Sequence, residues 1–509
     1  MNSIAEKIIL LSFAALLCAC AAGPDYKRPD VPGASAQVNE AYKEQAGWKL
    51  AQPADVLDRG AWWEIFGDPV LDDLQKQVET ANQSLKQAEA QYRQAAALVS
   101  SARASFWPTV SASLSATRSG RYSSSSGSIV SGGTVIGGNS GSTISKSYQL
   151  PIAATWEPDL WGGVRRQVEG DVASAQASAA TLANTRLSLQ ATLAQTYFQL
   201  RIVDEQKHLL VDTVDAYQKA LQLTENQYKV GVAARADLVQ AQTQLKSAQV
   251  QLIDLGIARA QYEHAIAVLV GRTPAQFSLA PARLAMKPPA IPLGLPSQLL
   301  ERRPDVAVAE RQAAQANAQV GVATAAWFPS LTLSASGGYS SSIWSQLLDA
   351  PSRYWSLGPK LAETLFDGGA RSAQSAQARA AWDAAVANYR QVSLTAFQNV
   401  EDQVAALRIL EQEAQEQDEA VRLAEQSLKI ATNQYRAGIV SYLNVITAQN
   451  TAYSSERAAI TLLGTRLNDS VGLVKALGGG WQAKELPEAG GISRHSQPPG
   501  AESPAKEPL

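Results

Sequence analysis

The chain has 509 residues, with Lys+Arg 44 against Asp+Glu 46, so no excess of charge points to a nucleic-acid partner. Hydrophobic residues make up 46%, enough for a sizeable core, but many are alanines, which suit close-packed helices better than a bulky interior. Only His208, His264 and His495 are present, none with a His or Cys at metal-ligand spacing. No GxSxG, P-loop or HExxH pattern occurs, so no enzyme and no metal cofactor is expected.

The first residues read as an export signal. Lys7 supplies the positive charge, and Ile8 to Leu17 form an apolar stretch too short to span a bilayer. It ends in LCAC. Leu17 at −3 and Ala19 at −1 before Cys20 resemble the lipobox of bacterial lipoproteins, whereas Cys18 would have the bulky Leu17 at −1. The expected arrangement is a signal peptide over 1–19, covalent lipid on Cys20, and a lipid-anchored segment over 20–61. Ala21 follows the lipidated position, where an Asp would favour inner-membrane retention, so the outer membrane is the expected destination. Cys18 leaves with the signal and Cys20 carries lipid, so no disulfide is expected. Several acyl chains give stable anchoring. No later run is apolar enough for a transmembrane helix, so strands would have to make any crossing.

From Trp62 on, the chain is written twice. SFWPTVSASLSA from Ser105 matches AWFPSLTLSASG from Ala326, DLWGGVR from Asp159 matches LFDGGAR from Leu365, and NQYKVG from Asn226 matches NQYRAG from Asn433. The offsets are 221, 206 and 207 residues, so the halves share one plan with an insertion of 15 residues in the first. The first repeat is expected over 62–272 and the second over 297–479. The Pro-rich segment 273–296 links them, and a Gly/Pro/Ser/Glu-rich tail over 480–509 is expected to be disordered.

Within each half the periodicity switches. After Pro108, Val110, Leu114 and Ala116 alternate with Ser111, Ser113, Ser115 and Thr117, and Tyr148, Leu150, Ile152, Ala154 and Trp156 share one face of a second run. After Pro329, Leu331, Leu333, Ala335 and Tyr339 alternate with polar residues, as do Trp355, Leu357 and Leu361 further on. These predict β-hairpins at about 109–158 and 330–363, of membrane-strand length, with aromatics near the strand ends. Ser119 to Ser147 reads as a Ser/Gly loop. Alternation alone fits a soluble sheet packed on helices equally well; the lipid anchor and the long helices favour a barrel.

Those helices are the remaining signal. Ala370 to about Tyr435 contains neither Pro nor Gly, and a seven-residue step runs through Val386, Ser393, Val400, Leu407, Ala414, Val421, Leu428 and Tyr435. The first half repeats it at Leu193, Leu200, Val214, Leu221 and Tyr228, broken at Lys207. A sustained heptad predicts coiled-coil packing. Gly231 and Gly438 stand where a left-handed residue would end each helix and start a hairpin, with second arms running to about Val270 and Leu477. Four strands cannot close a barrel, and an open edge in lipid leaves amides unsatisfied, so several copies must pool strands; three would give about twelve.

These residues carry a family resemblance. CAAGPDYKRP from Cys20, WWEIFGDPVLDDL from Trp62, YQLPIAATWEPDLWGGVRRQVE from Tyr148, the LLERRPD and WFPS elements of the segment from Leu295, and YRAGIVSYLNVITAQ from Tyr435 look like the TolC family. They match its lipoprotein, NodT-type branch, the outer-membrane factors of resistance–nodulation–division (RND) efflux systems. The resemblance implies an α+β membrane protein: a homotrimeric twelve-stranded transmembrane β-barrel, four strands per chain, continuous with a long α-helical coiled-coil periplasmic tunnel. Implied partners are a periplasmic adaptor (membrane fusion) protein, an inner-membrane RND pump and outer-membrane lipid.

The family closes its tunnel at the periplasmic tips with polar and charged residues. Here the gate candidates are Arg235 and Asp237 after the first turn, with Arg436 and Tyr442 flanking the second; for Arg235 and Asp237 the alternative is a solvated turn. Family members often place an acid after the second turn, where this chain has Val440 and Ser441, leaving Asp237 as the carboxylate at the tip. For Tyr228 and Tyr435 the heptad core is preferred over a gate. The expected function is a passive outer-membrane exit duct for small hydrophobic or amphiphilic compounds. The alternatives are a non-conducting coiled-coil scaffold or adhesin lipoprotein, and a duct for type I protein secretion.

Overall fold

A computed structural model describes residues 22–31, 60–122, 130–131, 134–135, 142–284, 286–291 and 299–492. The expected signal peptide, Cys20 and most of the proposed tail lie outside the described residues. Helices are α1 (Pro69–Ala81), α2 (Gln83–Ala104), α3 (Gly163–Lys229), α4 (Arg235–Leu269), α5 (Leu299–Arg302), α6 (Pro304–Ala325), α7 (Ala370–Arg436), α8 (Tyr442–Ala476) and α9 (Ala489–Ile492). Three pairs match in length: α2 and α6 have 22 residues each, α3 and α7 have 67, and α4 and α8 have 35. None of the described helices is long and apolar enough to cross a membrane. The chain divides into two compact units.

The first unit holds Ala96–Ala173, Ala314–Asp383 and the described residues up to Lys27. Its strands are β1 (Thr109–Ala112), β2 (Ser115–Tyr122), β5 (Ser142–Trp156), β6 (Ser330–Ser341) and β7 (Arg353–Ala362), with a small separate ladder of β3 (Val130–Ser131) and β4 (Thr134–Val135). All pairings are antiparallel. β5 and β6 are central, β7 lies along one edge, and β1 followed by β2 lies along the other. The register gathers the alternating residues of all four runs onto one face: Val110, Ala154, Ala335 and Leu357 form one rung, and Ala112, Ile152, Gly337 and Trp355 another. Thr155, Ser334 and Gly358 lie on a rung of the opposite face.

Many of the apolar side chains are bare: Val110 is 66% exposed, Leu357 75% and Trp355 82%. In water such a face would cost about 25 cal/mol per Å² of apolar area left unburied, so it calls for a cover of lipid or protein. The hairpin also extends further than the sequence suggests. β2 and β5 remain paired out to Tyr122 and Ser142, so both ends of the expected Ser119–Ser147 loop are strand. Ladder hydrogen bonds need backbone rather than a core, and the Ser119 and Ser145 hydroxyls meet at 2.7 Å.

Two details explain residues that read oddly for a sheet. Pro151 stands in the central β5, where its missing N–H removes a donor. Its ladder partner is Gly338, where a Cβ would come within 2.1 Å of the Leu150 carbonyl oxygen, so only glycine fits. The WGG and DGG repeats are helix starts. Asp159 accepts from the Val164 and Arg165 N–H groups, and Asp367 from those of Gly369 and Arg371, each then pairing with its own arginine's Nε.

In the same unit the Ala22 N–H donates to the Trp161 carbonyl, and the Arg166 guanidinium donates to the Ala22 and Gly23 carbonyls and pairs with Asp25 at 2.7 Å. Gly23, at φ 90, lies against Gly321, where a Cβ on Gly23 would come within 2.4 Å of the Gly321 Cα. The segment that follows Cys20 is therefore clamped.

The second unit holds Arg28–Ala95, Ser174–Ala313 and the described residues from Ala384 on. Its core is built around WWEIFGDP. Trp62–Phe66 make a 3-10 turn that buries Trp62, Trp63 and Phe66. Asp68 then caps α1 through the Val70 and Leu71 N–H groups, with Pro69 in the first turn. Phe66 packs on Phe198 of α3 at 4.9 Å, and the Tyr197 hydroxyl donates to Asp68 at 2.5 Å. Burial and this acidic neighbour raise the Tyr197 pKa.

LLERRPD also finds its reason here. Arg303 donates to the Ala476 carbonyl, an orphan acceptor at the end of α8, while pairing with Asp305 through both Nε and Nη2. A buried network joins α3, α4 and the linker. Asp204, with 2% of its side chain exposed, accepts from Arg201 at 3.1 Å, Arg259 at 2.8 Å and the Ala282 N–H at 3.3 Å.

Along α7 the heptad step is buried at Val386, Ser393, Val400, Leu407 and Tyr435, interleaved with Tyr389 and Ala396. Leu193 and Leu200 are buried in α3, but Tyr228 is 41% exposed and is not a core residue. It lies in the last turn of α3, and it is the neighbouring Gln227 that faces Tyr435.

Candidate channel site at the helical hairpin turns

Each pair of long helices turns on a glycine. Gly231 has φ 78 and Gly438 φ 73. The Val232 N–H donates to the Gln227 carbonyl at 2.8 Å and the Ile439 N–H to that of Gln434 at 2.9 Å, with the glycine N–H groups bonded to Tyr228 and Tyr435. This is the Schellman geometry, and a side chain at a positive φ would strain it.

The two turn motifs meet. The Tyr435 hydroxyl of NQYRAG donates to Gln227 Oε1 of NQYKVG at 2.5 Å. Tyr442, from the first turn of α8, is 2% exposed and stacks obliquely on Tyr435 with centroids 5.3 Å apart. The pair packs with Val445 and Ile446 and with Ala241 of α4, so the cluster bridges both hairpins. Burial and the neighbouring Tyr435 push the Tyr442 phenol up to about 12, so it stays neutral. Further along, Gln244 of α4 donates to Asn450 Oδ1 of α8 and to the Tyr217 hydroxyl of α3.

Of the charged candidates, Asp237 is close enough for its charge to help raise the Tyr442 pKa. Arg235 is exposed and lines an open groove of about 610 Å³ with Val239, Gln240, Thr243 and Gln244. Asp237 is half-buried and accepts from the Ala234 N–H at 3.2 Å, which caps α4. Arg436 is exposed in the last turn of α7. Sequence reasoning missed the polar interlocks at Gln227, Tyr217, Gln244 and Asn450. Gln227 carried a signal in the repeated NQY; the other three lie inside helices whose surface is rich in such residues. Among the described residues no cluster of His, Cys, Asp and Glu could hold a metal.

A sheet with a bare apolar face and, among the described residues, two unpaired edges, together with helical hairpins whose arms are 67 and 35 residues long, defines a membrane channel subunit. The comparisons agree: the outer membrane efflux protein family model matches residues 74–272 and 295–479, and the chain belongs to that family. It is 31% identical over 481 residues, 94% of this chain and 98% of the relative, to the pyoverdine export outer membrane protein OpmQ of Pseudomonas aeruginosa. It is also 31% identical to the toluene efflux pump outer membrane protein TtgC of Pseudomonas putida, over 92% of this chain and 94% of that protein.

Among solved structures, the outer-membrane channel OprN superposes with a TM-score of 0.81 at 29% identity, covering 91% of this chain and 100% of that one. The open state of the Neisseria gonorrhoeae MtrE outer membrane channel gives 0.76 at 27% identity, with 91% and 99% covered. The protein is an outer-membrane efflux channel component, not an enzyme.

Proposed function

We propose that three copies pool their sheets into a twelve-stranded barrel, anchored by lipid on Cys20, whose helical hairpins continue as a periplasmic duct. The carrying observation is the sheet itself: its apolar face is exposed, and among the described residues the outer edges of β1/β2 and of β7 have no partner. Unpaired edges cannot persist in hydrocarbon, and pairing β7 of one copy with β1/β2 of the next satisfies both at once. The equal lengths of the paired helices support an internal two-fold repeat, which would give the trimer near-equivalent walls. The clamp on Ala22 and Gly23 holds the anchor's root against the sheet-bearing unit.

The duct serves an RND pump through a periplasmic adaptor and passes small hydrophobic or amphiphilic compounds. Similarity to a pyoverdine exporter and to a toluene efflux component is equal at 31%, so the cargo is left at that breadth. The closed state is held by the Tyr435–Tyr442 cluster and the Tyr435–Gln227 bond, with Arg235, Asp237 and Arg436 as the exposed or half-exposed charges at the turns. Conductance of the purified protein in a planar bilayer, with its native mass, tests the reading. A trimer with discrete channel steps is expected; a non-conducting protein, as a scaffold would be, refutes it.

A further inference from the structure

On the sheet's apolar face the outward row is interrupted at one level on the hairpin side, before Ile144 on the rung beyond. Along β2, Ala116 is followed by Arg118; along β5, Tyr148 is followed towards the loop by Lys146. Arg118 and Lys146 are direct ladder partners, and both are exposed. Like charges placed opposite each other on adjacent strands repel, with Cβ atoms about 5 Å apart. Their same-face neighbours Ala116, Gly120, Ile144 and Tyr148 carry no charge, and among the described residues no carboxylate pairs with either cation. The fold thus sets two cations side by side without neutralising them.

Their position says what neutralises them. One rung below, Tyr148 meets Trp344 edge-on at 5.4 Å, and on the next rung Tyr339 carries the Arg353 guanidinium 5.9 Å above its ring. Aromatics of this kind mark the interface between hydrocarbon and headgroups. The eight residue steps from Trp156 to Tyr148 span roughly 27 Å along the strand, or about 20 Å after the usual tilt of a membrane strand, close to the depth of an outer-membrane apolar band. Arg118 and Lys146 therefore stand at headgroup level, on the side away from the helices.

We propose that Arg118 and Lys146 form a phosphate-binding rung that seats a phosphorylated lipid of the outer leaflet, its acyl chains lying along the apolar rows below. The proposal rests on the barrel reading above. A phosphate between the two cations removes their repulsion and accepts hydrogen bonds from both. The same rung recurs once per copy around a trimer.

The test is native mass spectrometry of the purified full-length protein, titrated with bis-phosphorylated lipid A or its dephosphorylated form. Each cation near a phosphate surface strengthens binding by roughly fivefold, so Arg118→Gln/Lys146→Gln should weaken retention of the phosphorylated lipid by about 25-fold. The dephosphorylated lipid should bind wild type and variant alike. Equal retention of the phosphorylated lipid by both proteins overturns the proposal, as does its complete displacement by an equal concentration of inorganic phosphate, which would mark a site for free anions. Should the double variant fail to assemble, the wild type decides, because no preference for the phosphorylated over the dephosphorylated lipid is equally fatal. A wild type that is not a trimer overturns the barrel reading, and the rung with it.

Discussion

In the proposed duct, opening parts the two hairpins of each copy at the turns, and the contacts there would set how often they do. Tyr442 buries its ring against Tyr435 and, through the shared cluster, against Ala241 of the other hairpin. Truncating a buried aromatic costs roughly 3 kcal/mol. If the half of the ring that faces the other hairpin is what parting exposes, Tyr442→Ala removes about 1.5 kcal/mol from the closed state. That raises the open-to-closed ratio by about tenfold. Tyr435→Phe keeps the ring and loses only the hydroxyl donated to Gln227, a change of about 1 kcal/mol and fivefold. Tyr228→Ala alters an exposed side chain of the same residue type and should change nothing. Single-channel recording at fixed voltage reads the open probability directly, with circular dichroism as the control for folding. The expected order is Tyr442→Ala, then Tyr435→Phe, then Tyr228→Ala, indistinguishable from wild type. Unchanged open probability in the first two, with helicity intact, would show that the tyrosine cluster does not hold the duct closed.

The remaining expectations concern stability and selectivity. Asp204→Ala takes the carboxylate from Arg201, left with the Ala280 carbonyl, and from Arg259, left with Glu263; with their side chains only 5% and 13% exposed, it should destabilise the second unit by about 3 kcal/mol, read as a lower urea midpoint. At Glu263 burial pushes the carboxyl pKa up, but hydrogen bonds from the Leu279 N–H, Ser278 and Arg259 outweigh it and leave it below the usual 4.5. That stabilisation is fully present above the unfolded value and fades as pH falls through the lowered folded one. Glu263→Gln should therefore flatten the acid limb of urea midpoint against pH below about 4.5, and an unaltered limb would refute it. Asp237 both caps α4 and carries charge. Asp237→Asn, which keeps an acceptor for the cap, should lower cation preference in reversal-potential measurements while leaving helicity unchanged, and unaltered selectivity would remove it from the gate.

The alternation after Pro108 and Pro329 and the heptad of α7 were legible because each is a period written into adjacent residues, and period alone dictates which side chains share a face. Gly231 and Gly438 were legible for a similarly local reason: a helix that must reverse calls for a residue tolerant of positive φ. Local pattern could not say that Tyr228 would lie exposed while Tyr435 is buried, since both end the same NQY motif. That difference depends on which hairpin supplies the filler of a shared slot.

The sequence by itself determined two alternating hairpins, two long helical hairpins and their repetition, because backbone conformation and facial periodicity are properties of neighbours along the chain. Only the tertiary structure decided that the four apolar runs share one face, that Arg118 lies against Lys146, that Asp204 joins two arginines, and that Tyr435 reaches Gln227 across 208 residues. Each of those is a choice of partner between distant segments. Ladder register and helix packing make that choice, and neither is encoded in any single stretch.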